Sequence, residues 1–95
     1  MDIKQAFAKA LKIARKAKQL TQEDFSDVSS RTYVSTLERG LKNPTLDKIE
    51  DLAGAMNLHP MTLITLAYMM KGNYLGPTEL LESVSKELNQ LSICN

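Results

Sequence analysis

Arg31, Thr32, Ser35 and Thr36 are spaced to share one side of a helix, while Val34 and Leu37, three residues apart, take the opposite side. A guanidinium offers two adjacent donors that match guanine O6 and N7, and small hydroxyls meet other base edges. A helix with that face has the chemistry to enter a DNA groove and read it. Tyr33 stands at the edge of the polar face. Glu38 is the odd member, because a carboxylate turned toward phosphates would be repelled. It is expected to turn inward against a cation, and Arg15, late in a preceding helix, is the best placed.

Reading DNA in this way needs no metal, cofactor or catalytic nucleophile, and the rest of the chain offers none. His59 is the only histidine and Cys94 the only cysteine, and they lie far apart in the sequence. No glycine-rich phosphate loop and no metal-ligand spacing is present. An enzyme is therefore not expected. A lone cysteine permits no intrachain disulfide and suits a reducing cytoplasm. The chain starts as an amphipathic, lysine-bearing segment without a hydrophobic h-region, so neither a signal peptide nor a membrane anchor is expected.

Capping chemistry marks the elements that must position the polar face. Thr21 stands at an N-cap with Asp24 three residues later, a shorter relative of the capping box. Phe25 and Val28 share one face of the helix that follows. Ser29 and Ser30 favour a turn, and Ser30 is the expected N-cap of a helix from Arg31 to about Arg39. Gly40 supplies a left-handed C-terminal cap. The stretch Leu20–Pro44 thus reads as two short helices joined by a tight turn, the second carrying the polar face.

Four segments in order, Thr21-Gln22-Glu23, Arg31-Thr32-Tyr33-Val34-Ser35, Leu37-Glu38-Arg39-Gly40 and Asn43-Pro44-Thr45-Leu46, resemble the helix-turn-helix family of phage Cro and repressor proteins. This is also the xenobiotic-response-element family of bacterial regulators. Within it the chain looks most like the controller proteins of restriction–modification systems. The likeness spans roughly residues 5 to 68. It implies an all-α, five-helix lambda-repressor-like domain that binds double-stranded DNA, extended here by an additional C-terminal helix. It implies base reading by Arg31, Thr32 and Thr36. It implies phosphate contacts from Thr21 and Gln22 before the recognition helix, from Tyr33 at its edge, and from Arg39, Lys42 and Asn43 after it. It also implies a buried ion pair between Arg15 and Glu38. The connection from Phe25 to Arg31 is shorter than the family's and lacks its turn glycine. The first helix of the pair must therefore end early, or the two must cross at another angle.

At 95 residues the chain is expected to fold as one domain. Its net charge of +1 conceals an asymmetry. Residues 1–48 carry ten Lys/Arg against six Asp/Glu, a balance of +4; residues 49–95 carry two against five, a balance of −3. A cationic half holding the motif and an anionic half behind it would orient the molecule on a polyanion.

The remaining elements follow from periodicity. A first helix is expected over Ile3–Lys18, burying Ile3, Phe7, Ala10, Leu11, Ala14 and Ala17. Lys4, Lys9, Lys12, Lys16 and Lys18 line its other sides, with Lys16 and Lys18 nearest the motif. Pro44 and Thr45 open a helix with an apolar face of Leu46, Ile49, Leu52, Ala53 and Met56, and Asn57 is its left-handed terminus. His59, a cap or turn residue, and Pro60 open the next helix. Met61–Met70 is apolar almost all round, which suits a helix with two apolar neighbours. It is far too short to span a bilayer. One neighbour is the domain core; the other is a second subunit or the chain's own last helix.

Residues 71–77 form a turn, and Gly76 or Thr78 caps a final helix reaching about Leu91. Its Leu81, Val84, Leu88 and Leu91 make a short coiled-coil-type seam, widened by Leu80. Residues 1–70 are thus expected to form the DNA-binding domain, with residues 71–95 a packing or dimerisation extension. Leu63, Leu66, Met70, Leu81, Val84 and Leu88 are the expected homodimer contacts. Helix-turn-helix dimers set two recognition helices about 34 Å apart, so a short inverted repeat is the expected target. A second reading stays open: a protein-interaction module of the same fold, antitoxin-like or anti-repressor, that acts on a protein partner through its last two helices.

Overall fold

The computed structural model describes residues 1–72 and 76–91. Five α-helices and one 3₁₀ turn make up the regular structure of those residues, with no strand among them. Helix α1 (Ile3–Ala17) starts where the Asp2 carboxylate accepts from the Gln5 N–H at 2.8 Å. The 3₁₀ turn Gln22–Phe25 follows, then α2 (Arg31–Glu38), α3 (Leu46–Ala55), α4 (Pro60–Lys71) and α5 (Pro77–Gln90).

The expected caps are in place. Ser30 Oγ accepts from the Tyr33 N–H and Thr45 Oγ1 from the Lys48 N–H, each at 3.1 Å. His59 Nδ1 accepts from the Met61 N–H at 3.0 Å, and Pro60 takes the first helical position. Gly76 precedes α5, with Pro77 first in the helix. Three helices end on a left-handed residue: Gln19 after α1, Gly40 after α2 and Asn57 after α3, at φ 59°, 72° and 60°. In each case the following N–H reaches back to the carbonyl five residues earlier, as in Leu20 to Arg15, closing the helix end. Gly40 and Asn57 are residue types that favour this conformation; Gln19 is not, and its role was invisible in the sequence.

The core joins Phe7, Ala10, Leu11 and Ala14 of α1 to Phe25, Val34 and Leu37 of the motif. Ile49, Leu52, Ala53 and Met56 of α3 and its end, and Leu63 and Ala67 of α4, complete it. The most extensive packing among the described residues is between α1 and α4. The stripe of α1 is offset from expectation: Ala6 and Ala8 are buried, while Ala17 is exposed because the chain turns off the core immediately after it. Leu46 is also exposed, at 75%, since the first turn of α3 overhangs the core edge. There it lines a shallow groove with Phe7, Pro44, Ile64 and Tyr68.

Only one face of α4 is covered. Leu63 and Ala67 are buried, whereas Met61 and Tyr68 are exposed. Leu63, at 1% exposure, belongs to the domain's own core and has no surface to give a second subunit. Helix α5 leans on α4 through Leu80, its one buried residue. Leu81, Leu88 and Leu91 stand in solvent and Val84 is half-buried, so the described part of the chain does not wrap α4. No helix among the described residues is long and apolar enough to cross a membrane. The expected turn over residues 71–77 falls partly, and Cys94 wholly, outside the described residues.

Candidate nucleic-acid interface

Helix α2 divides as its spacing requires. Val34 and Leu37 are fully buried; Arg31 and Thr32 are exposed; Tyr33, Ser35 and Thr36 are half-buried. The Thr36 hydroxyl donates to the Thr32 carbonyl at 2.8 Å. With its proton engaged there, Thr36 keeps an acceptor oxygen and a methyl group for a base edge, which suits an amino group or a thymine methyl.

Behind that face lies a polar network. Arg15 Nε donates to Glu38 Oε2 at 2.6 Å and Nη2 to Oε1 at 2.9 Å, with the two side chains 11% and 4% exposed. Arg15 Nη1 donates to the Leu20 carbonyl at 2.9 Å, and Gln22 Nε2 donates to Glu38 Oε1 at 3.2 Å. Donating hydrogen bonds to Glu38 raises the Arg15 pKa above its already high ordinary value, against the opposing effect of burial. The network ties the end of α1, the start of the 3₁₀ turn and the end of α2 into one frame. Gln22, expected at phosphate, therefore commits one amide hydrogen to this frame and retains its other donor and its carbonyl oxygen.

The short connection from Phe25 to Arg31 is accommodated by ending the first motif helix early. What the sequence suggested as a helix is a single 3₁₀ turn, closed at its start by the Thr21 N–H donating to Asp24 Oδ2 at 2.7 Å. The Ser29 N–H reaches back to the Phe25 carbonyl at 2.9 Å, and Ser29 itself is buried. Lys48, one turn into α3, completes the connection: its Nζ donates to the Val28 carbonyl at 2.9 Å and lies 5.2 Å from the centre of the Tyr33 ring. Lys42 Nζ lies 6.0 Å from the same ring. Two cations thus lie near the ring of Tyr33, at the edge of the polar face of α2. Sequence reasoning missed Lys48, and its placement third in a capped helix gave no sign of a partner 20 residues back.

Arg39 is exposed, with Nε near the Ser35 carbonyl at 3.4 Å, and Thr21, Lys42 and Asn43 are exposed as well. Arg31 has a partner that its sequence position did not announce. Its Nη1 donates to Glu23 Oε1 at 3.1 Å, with the side chains 67% and 71% exposed. No group of three or more metal-ligating side chains occurs among the described residues. Arg31, Thr32, Arg39, Lys42 and Asn43 are exposed polar and cationic groups on and just after α2, with Thr36 half-buried.

Comparison with known proteins bears on the fold and the family. The helix-turn-helix family model matches residues 11–63, more than half of the chain. Control protein C.SmaI of Serratia marcescens is 36% identical over 67 residues, covering 68% of this chain and 80% of the relative. The HTH-type transcriptional regulator y4dJ of Sinorhizobium fredii is also 36% identical over 67 residues, covering 68% of this chain and 87% of its own length. Among solved structures, the hypothetical transcription factor NHTF from Neisseria superposes with a TM-score of 0.61 at 29% identity, over 85% of this chain and 84% of that one. The chain belongs to the helix-turn-helix family, in its Cro/repressor-like, xenobiotic-response-element branch. It is a DNA-binding transcriptional regulator and not an enzyme.

Proposed function

We propose that the protein acts as a homodimer on a short inverted-repeat operator in the bacterial cytoplasm, reading sequence with the face of α2. The observation that carries this is the split of α2 itself: Val34 and Leu37 are fully buried while Arg31 and Thr32 stand in solvent. Arg31, Thr32 and Thr36 meet base edges. Thr21, Gln22, Tyr33, Arg39, Lys42 and Asn43 meet the phosphates that set register. The relatives named as a control protein and as transcription regulators support the same reading.

Dimerisation is proposed through the outer face of α4 and α5, using Leu66, Met70, Leu81, Val84 and Leu88, with residues 71–95 serving as the extension that completes it. Leu63 drops out of that set because the core already holds it. Selecting bound duplexes from a random pool, then measuring mass in solution with and without the winner, tests the proposal directly. An inverted repeat bound by two copies is expected. With roughly six to ten phosphates contacted, affinity should fall on the order of 10³–10⁵ between about 50 and 200 mM salt. A salt-insensitive interaction, or a pool with no preferred sequence, would refute it.

A second reading has one observation in its favour: Met61, Tyr68, Leu81, Leu88 and Leu91 remain exposed on the described chain. If that face stays open to solvent in the isolated homodimer, a protein-interaction role through the last two helices becomes the better account.

A further inference from the structure

Glu23 adds nothing to the core, yet it is bonded to the guanidinium proposed to read a base. A pair as exposed as Glu23 and Arg31 contributes little to folding, so its consequence must be sought at the surface that meets DNA. Its atoms are informative. Glu23 occupies Arg31 Nη1, while Nε and Nη2, the parallel donors on the other edge of the guanidinium, make no hydrogen bond among the described residues. Its placement is informative too. The pair bridges the 3₁₀ turn and the first residue of α2, and it shares one cleft with Thr21 and Gln22, the residues proposed to meet phosphate.

An arginine at that position without a partner would swing to the nearest phosphate, a contact that carries no sequence information. A carboxylate beside the same phosphates lowers affinity for every duplex alike. It is therefore useful only if it adds discrimination. We infer that Glu23 is a positioning residue that sets specificity, taking Arg31 by Nη1 so that the Nε and Nη2 donors face guanine O6 and N7, an inference resting on the base-reading role proposed above for Arg31. On non-cognate DNA, Glu23 withholds Arg31 from the backbone. On cognate DNA, it presents Arg31 already oriented.

The test compares the intact wild-type chain with Glu23→Gln, Arg31→Ala and the double variant. Each is titrated with a duplex selected from a random pool, with that duplex changed at the base pair whose preference Arg31→Ala relaxes, and with a scrambled duplex. Glu23→Gln should melt as the wild type does. It should lower discrimination at the Arg31 base pair by about tenfold, within the range one two-bond base contact supplies, and bind the scrambled duplex more tightly. In the Arg31→Ala background the same change should shift all three duplexes equally. An equal shift with Arg31 present would overturn the inference, leaving Glu23 as a phosphate-repelling charge only. Arg31→Ala with every base preference intact would be a different failure, removing the base-reading role and the inference with it.

Discussion

At Glu38 a single carboxylate joins three parts of the chain, accepting from Arg15 twice and from Gln22 once. Removing it strands a guanidinium that is nine-tenths buried. Glu38→Ala is therefore expected to destabilise the fold by about 3–5 kcal/mol, a large share of the roughly 5–15 kcal/mol that holds a small domain together. Thermal or denaturant melting measures this, and a melting curve unchanged from wild type would exclude the structural role. Because hydrogen bonding to Glu38 raises the Arg15 pKa above its already high ordinary value, the guanidinium keeps its charge well past neutral pH, and raising the pH does not weaken the pair until beyond the guanidinium's ordinary range. Arg31 and Arg39 should separate by the pattern of their losses. Arg31→Ala should relax preference at one base pair per half-site by about 1–3 kcal/mol. Arg39→Ala should weaken binding to all duplexes alike and flatten the salt dependence.

The motif is held at the element scale by a side chain from outside it. The connection from Phe25 to Arg31 is too short to carry a full helix and a turn. It keeps one 3₁₀ turn, and the Val28 carbonyl is met by Lys48 of α3. Lys48 also lies against Tyr33, so a single cation links the turn, α2 and α3. Lys48→Met keeps the stem and deletes the charge. It should destabilise the domain by about 1–2 kcal/mol, the scale of one charged hydrogen bond at a partly exposed site. It should also weaken specific binding more than that loss alone explains, because the tilt of α2 relaxes. Unaltered melting and unaltered operator affinity in this variant would show that the connection holds itself.

At the scale of the whole molecule, the main imbalance is the outer surface of α4 and α5. Leu80 anchors α5 to α4, but Met61, Leu81, Leu88 and Leu91 are exposed, and Leu81 and Met61 border a common groove. A clustered apolar surface of this kind favours association. Leu88→Glu places a charge on the seam without touching the core. If the proposed dimer forms through this face, the variant should be monomeric in sedimentation or light scattering where the wild type is dimeric, keep its helical content, and bind the operator more weakly for want of a second half-site contact. A Leu88→Glu protein that remains dimeric would move the interface elsewhere.

Apart from the Arg15–Glu38 pair, which phosphate repulsion and the family resemblance both indicated, what the sequence by itself determined was local. Ser30, Gly40, Thr45, Asn57 and Pro60 mark where helices begin and end, because a cap or a left-handed residue acts on backbone groups within about one turn. Val34 and Leu37 were legible as core, and Glu38 as inward-facing, because helical spacing and phosphate repulsion need no knowledge of the neighbouring element. Tertiary structure decided the rest: the left-handed Gln19, the attachment of Gln22 to Glu38, the grip of Lys48 on Val28, the pairing of Glu23 with Arg31, and the burial of Leu63 but not Leu46. Those pairings join residues 8 to 20 positions apart. Such distances close only once the helices have chosen their crossing angles, and burial of the shared core, not local propensity, makes that choice.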